Sequence, residues 1–275
     1  MECSMHSKLF KTLSQEGAVI QSCLAIGLTE LRNANLNEKG RYYGAFFQLA
    51  IGIERLAKLA LILDHMAHHQ LQAPGSSVVR KYGHDLRTLI ARVSEVAGAR
   101  GYELSTSFPD EPLCMRVVAF LSDFAEGMRY ANLDSLATGT PKRDPLIEWN
   151  DILQYTIASK LSSAAKHKIS TLATAAAQAV GSHAAVYASD LAGKPLTLSS
   201  VFSEPLALDA GSKYLVWEIC TLLSPLRDSV VSAGYAADAV AASINPQGDR
   251  VPTLSEFFDF LWLDRKYVFR KKRWP

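Results

Sequence analysis

The sequence predicts an all-α fold, and three observations predict it. The longest apolar stretch, RYYGAFFQLAIGIERLAKLALILDHMAHH at 41 to 69, repeats Phe46, Leu49, Ile53, Leu56, Ala60 and Leu63 at alternating steps of three and four. Those steps put the six on one stripe of a helix. Phe47, Ile51, Leu59 and Ile62 make the other side apolar too, so this helix is expected to be buried at the centre, with Leu56 and Ile53 in the core. Similar periodicities recur along the chain. No run shows sustained strand-like alternation, and no internal repeat period is visible.

Taken in order, residues 5 to 34 read as a first helical region through Leu9, Leu13, Ile20, Leu24 and Leu28. Gly17 and Gly27 each cost about 1 kcal/mol in a helix interior, and a break near Gly17 is expected. Asn37 is the expected N-cap of the central helix, which Pro74-Gly75 stops. Periodicity restarts through Leu86, Leu89, Ile90, Val93 and Val96, entered at Gly83 to Asp85 and ended at Gly98 or Gly101. Asp85 is well placed at the positive end of this helix. Asp110-Glu111-Pro112 opens a fourth helix running to about Ala131, with Val117, Phe120, Leu121, Phe124 and Met128 inward.

The stretch 132 to 145, with Gly139, Pro141 and Pro145, is turn-rich and is the expected boundary between a bundle at 1–145 and a helical extension at 146–275. The extension opens with a long alanine-rich helix, 146 to about 188, whose small side chains permit close packing. A loop at 193 to 209 follows, then a helix at 213 to 240 broken or kinked near Pro225. Thr253 or Ser255 caps a short aromatic helix at 256 to 263, and the chain closes on DRKYVFRKKRWP.

The 275 residues are 48% hydrophobic, enough to build a large core, and the net charge of +2 excludes a chain-wide polyanion-binding surface. Cys3, Cys23, Cys114 and Cys220 have no paired spacing, which fits free thiols in a cytoplasmic protein. The N-terminus shows no signal-peptide pattern. Glu54, Arg55 and Lys58 in the apolar stretch each cost roughly 2.5 to 3.5 kcal/mol in a membrane helix, which argues against a span there.

Serine-elbow, phosphate-loop and dinucleotide-loop signatures are absent, and no cofactor is implied. Asp64, His65, His68 and His69 contain two i, i+4 pairs that could ligate a divalent ion, but histidines also favour helix C-termini for the dipole, and no metal site is assigned.

FFQLAIGIERLAKLALILD in the central helix, KYGHDL opening the third and EGMRYANLD closing the fourth together resemble the HEPN superfamily of helical bundles, over roughly residues 5 to 145. The resemblance implies a protein of a bacterial defence or toxin system that binds RNA or a nucleotide, with metal-independent RNA cleavage and a homodimer as further implications. The family motif is an arginine, four to six residues, then a histidine. Arg129 matches the arginine, but Asp134 stands where the histidine belongs, and Arg80 to His84 is one residue too short. A cleaving site needs a group that takes the 2′-hydroxyl proton and one that protonates the leaving oxygen, which an imidazole does near neutral pH. The candidate catalytic set is therefore Arg129, Asp134 and His84, with Asn132 beside them for binding. The alternative is a structural tie from Arg129 to Glu126 or Asp134. Should a cleft exist, Glu54, Arg55 and Lys58 are expected to line it with Arg129.

Arg270, Lys271, Lys272, Arg273 and Trp274 in the C-terminal run combine cations with stackable aromatics, which suits single-stranded nucleic acid and equally suits docking of the tail onto an acidic groove, with a solvated basic tail as the commonest alternative. A non-enzymatic scaffold that binds a protein partner through its C-terminal helices is the alternative from a different class.

Overall fold

A computed structural model describes residues 7–181, 184–261 and 264–275. Among them the chain is helical without a strand, apart from one isolated antiparallel bridge between Ser189 and Pro195. No described helix is long and apolar enough to cross a membrane. The helices are α1 (Lys8–Asn33), α2 (Gly40–His68), α3 (Ser76–Lys81), α4 (Leu86–Arg100), α5 (Pro112–Glu126), α6 (Ala131–Thr138), α7 (Pro145–Lys160), α8 (Ser163–Val180), α9 (Leu198–Ile244), α10 (Ser255–Phe258) and α11 (Arg265–Arg270).

The apolar stretch is α2, and it is central: α1 and α9 make its two most extensive contacts, with α4 and α5 on the remaining sides. Phe46, Leu49, Ile53, Leu56 and Leu63 are wholly buried, and Leu59 nearly so. Gly17 does not break α1, which runs unbroken from Lys8 to Asn33. Its glycines serve close approach instead. A Cβ at Gly27 would sit 2.7 Å from Leu49 Cγ of α2, one at Gly52 of α2 would sit 2.7 Å from Leu24 Cδ2 of α1, and Gly17 faces the ring of Phe257. Packing outweighs the propensity cost of each glycine.

Several expected boundaries move. The residue capping α2 is Lys39, not Asn37; the Asn35 side chain accepts from Asn37 N and Glu38 N and shapes the turn before it. α5 stops at Glu126, a 3-10 turn follows at Met128–Tyr130, and the supposed turn region contains α6. The alanine-rich segment is two helices, because Leu161 turns extended and the Ser162 side chain caps α8 by accepting from Ala165 N. The expected loop at 193 to 209 gives way at Leu198 to α9, opened by a capping box between Thr197 and Ser200. Pro205 and Pro225 both lie inside α9. Burial of Leu215, Val216, Ile219, Leu223, Leu226 and Val230 offsets the hydrogen bond each proline removes. α10 with a 3-10 turn at Asp259–Leu261 replaces the longer aromatic helix; Trp262 and Leu263 lie outside the described residues.

The core continues across position 145, the first residue of α7. Trp149 of α7 lies against Phe46 of α2 and Phe120 of α5, at ring-centroid distances of 4.9 and 5.0 Å. Arg32 of α1, 3% exposed, donates to Asp209 Oδ1 and Ser212 Oγ of α9 at 2.8 and 3.2 Å. Cys23, Cys114 and Cys220 are free thiols, and Cys3 lies outside the described residues.

Asp85 caps α4 by accepting from Arg87 N at 2.9 Å, and it binds α5 because Ser122 Oγ donates to it at 2.8 Å. Desolvation pushes its pKa up, but hydrogen bonds from Ser122, Arg87 and Thr88 outweigh that and hold it at about 2, below its ordinary 3.8. A depressed carboxyl pKa stabilises the fold above the unfolded value and loses that contribution as pH falls through the folded one. The stability gap between the parent and Asp85→Asn, followed by denaturant titration, is expected to hold above about pH 4 and to close toward pH 2. A gap unchanged across that window would show that Asp85 does not carry the linkage.

Candidate functional site

Glu54 and Arg55 of α2 face a cleft of about 550 Å3 lined also by Phe47, Ile51, His84 and Arg129, with Phe124 to Glu126 of α5 closing one wall; Lys58, expected there too, is not among the lining residues. Three local features build it. α2 must carry its polar minority somewhere open, and this is the side α1 and α9 leave uncovered. The α3–α4 connector turns at Gly83, whose φ of +72° favours glycine, and so delivers His84 over α2. The end of α5 at Gly127 and the 3-10 turn after it carry Arg129 to the rim.

Glu54 is the hub. Its Oε1 accepts from Lys58 Nζ at 2.8 Å and lies 2.9 Å from His84 Nδ1. An ionised carboxylate only accepts, so in the neutral imidazole the proton sits on Nδ1 and Nε2 is the acceptor, on a side chain that is 73% exposed. Arg55 is held by Glu16 of α1, Nη2 to Oε2 at 2.5 Å. Arg129 is exposed, stands 4.9 Å from the centroid of the Tyr130 ring and makes no ion pair among the described residues. The structural tie to Glu126 or Asp134 is thus not formed.

The predicted set is divided by the fold. Arg129 and His84 share the cleft with Glu54 and Arg55. Asp134 does not; it lies in a neighbouring hollow with Asp123, Met128, Lys142 and Arg143. The reason is that α6 begins at Ala131 and turns Asp134 onto its own outer face. Asn132 is exposed and donates to Tyr43 OH at 3.3 Å. The Glu54 to His84 contact, thirty residues apart, has no spacing signature; its sequence signal is charge in the middle of an apolar helix.

The histidine group at the end of α2 is tied to structure. Asp64 is buried and accepts from Arg100 Nε and Tyr102 OH, both at 2.9 Å, joining α2 to the end of α4. Burial first, and the Asp64 carboxylate second, push the Tyr102 pKa up. His65 and His69 stack with ring centroids 3.8 Å apart, and burial followed by the charge of His69 lowers the pKa of His65. No group of three potential metal ligands forms among the described residues.

The C-terminal run is docked. Trp274 is only 4% exposed; its N donates to Thr29 Oγ1 at 2.9 Å, and Asn33 Nδ2 donates to Lys272 O at 2.6 Å. Trp274 is therefore unavailable for base stacking, because it packs on α1. Lys271 Nζ donates to Tyr267 OH at 2.7 Å, while Arg270, Lys272 and Arg273 are exposed.

The chain is an all-α protein whose cleft places an oriented imidazole near an unpaired guanidinium. No family model, no curated protein and no solved structure matches it.

Proposed function

We propose that the cleft binds RNA or a nucleotide at one phosphate and cleaves RNA without a metal, as expected of a HEPN-like protein of a bacterial defence or toxin system. The observation that carries this is His84, held at Nδ1 by Glu54, in the same cleft as unpaired Arg129. The guanidinium fork suits a phosphate, and it offsets charge as the phosphorus becomes five-coordinate. His84 Nε2 takes the 2′-hydroxyl proton as the 2′-oxygen bonds to phosphorus. The imidazolium then gives that proton to the departing 5′-oxygen, leaving a 2′,3′-cyclic phosphate and a free 5′-hydroxyl. In this reading His84 replaces the missing motif histidine, and Asp134 has no part.

The test is cleavage of labelled single-stranded RNA in chelator. His84→Ala is expected to lower the rate about 10²- to 10⁴-fold, and Arg129→Ala about 10²- to 10³-fold. Both side chains are exposed, so thermal midpoints should stay within 1 to 2 °C, equivalent to about 0.5 kcal/mol or less. A parent that neither binds nor cleaves RNA removes the reading.

A self-association reading rests on a different observation. α6 presents Leu133 and Leu136, 65% and 82% exposed, beside Tyr130 at 49%. Large apolar side chains grouped on so short a helix fit a contact with a second copy. Sedimentation is expected to give a dimer that Leu136→Asp converts to monomer; a monomeric parent at micromolar concentration would sink this part.

A further inference from the structure

The cleft offers a strand one unpaired guanidinium. Glu54 occupies Lys58 and His84, and Glu16 occupies Arg55. One phosphate contact gives weak, short-range binding, so an RNA strand must be held elsewhere on the molecule.

We propose that the docked C-terminal segment, α11 and the extended residues after it, is a separate single-stranded RNA exosite. Lys266, Arg270, Lys272 and Arg273 are exposed and make no ion pair among the described residues. Lys266 and Arg270 share a face of α11 at i, i+4, roughly 6 Å apart along its axis. The chain then leaves the helix at Lys271 in extended conformation, and Lys272 and Arg273 add two further exposed cations next to α11. This segment is a fixed surface. Val268 and Trp274 anchor it in the core, and its backbone is bonded to Thr29 and Asn33 of α1. Rigid cations lose less entropy on binding than those of a loose tail.

The distribution of aromatic groups favours a nucleic-acid strand over a membrane. Insertion into lipid would use Trp274 and Phe269, but Trp274 is buried and the Phe269 ring lies against Tyr214 at a centroid distance of 4.9 Å. Tyr267 remains outside, 52% exposed, with Lys271 Nζ 4.6 Å from its ring centroid. An exposed ring beside a cation is a stacking platform for a base.

The exosite rests on the reading that RNA is the ligand, and charge-matched variants separate the two. Lys266→Glu with Lys272→Glu reverses two charges in the segment; Lys168→Glu with Lys194→Glu reverses two exposed lysines elsewhere. Binding of a labelled oligouridylate to the full chain is measured over a salt series. The segment variant is expected to bind about tenfold or more weakly at low salt, with a log K against log salt slope shallower by about 1.4, at about 0.7 for each lost phosphate contact. The control should change affinity less than about threefold. Arg129→Ala should keep most strand affinity while losing cleavage. Equal losses in the two charge-reversed variants, or none in either, overturn the exosite while leaving the cleft reading to its own cleavage test. A parent that ignores the oligouridylate but binds phosphatidylserine vesicles in a segment-dependent manner overturns it in favour of a lipid surface.

Discussion

Phe46→Ala is expected to destabilise the protein by about 3–5 kcal/mol, the range for deleting a fully buried aromatic ring. Phe46 has no exposed surface, and its ring is met by Phe120 at 4.7 Å, Trp149 at 4.9 Å and Phe124 at 5.4 Å. The contacts to Phe120 and Phe124 are edge-to-face, an arrangement worth about 0.5–1.5 kcal/mol beyond area burial. Because the ring joins α2, α5 and α7, the surrounding helices cannot close on the cavity without moving together. A urea titration measures the loss as a fall in midpoint at constant slope. A cost below about 1 kcal/mol would mean that the aromatic cluster repacks freely.

Asp228→Ala is expected to cost a similar amount, about 3–5 kcal/mol, by a different route. Asp228 Oδ1 accepts from Arg227 Nη2 at 2.5 Å and Nε at 2.9 Å, while Oδ2 accepts from Ser105 N at 2.7 Å and Ser105 Oγ at 2.6 Å. The Arg227 side chain is only 2% exposed. Removing the carboxylate therefore takes one charged partner from a buried guanidinium and releases the connector between α4 and α5 from α9. Replacing the pair together, as Arg227→Met with Asp228→Leu, should recover most of the loss. Thermal unfolding of the single and double variants decides it: a double variant as unstable as the single would show that the loop contacts, not the charge, carry the stability.

The fold class and the central place of α2 were legible because hydrophobic periodicity records burial directly: the stripe from Phe46 to Leu63 is the buried stripe. Helix ends were less legible, since they depend on competition between local signals and tertiary packing. Gly17 and Pro225 carry strong breaking signals, yet α1 and α9 run through them because each is buried against other helices. Conversely, Leu161 carries no such signal, and the break there is set by the capping of Ser162. The candidate site was legible in parts. Of the charges amid the apolar helix Glu54 and Arg55 line the cleft and Lys58 does not, while Arg129 and His84 both reach it. Asp134 was misplaced because a count along the chain assumed one continuous helix end where the structure has a 3-10 turn and a new helix. The segment from Lys266 to Arg273 was visible as charge, but that Trp274 points inward depends on Thr29, far away in sequence.

The position of α9 sets an order of events during synthesis. α1 and α2 are neighbours in sequence and can pair as soon as both have emerged, but the part of α2 that α9 covers waits for α9. At roughly 5–20 residues per second, that interval is on the order of ten to thirty seconds. During it the nascent chain carries an uncovered apolar helix face, so the ribosome-bound intermediate is the state most exposed to aggregation and to capture by holdase chaperones. The contact of Trp274 with Thr29 forms later still, because it joins positions 245 residues apart.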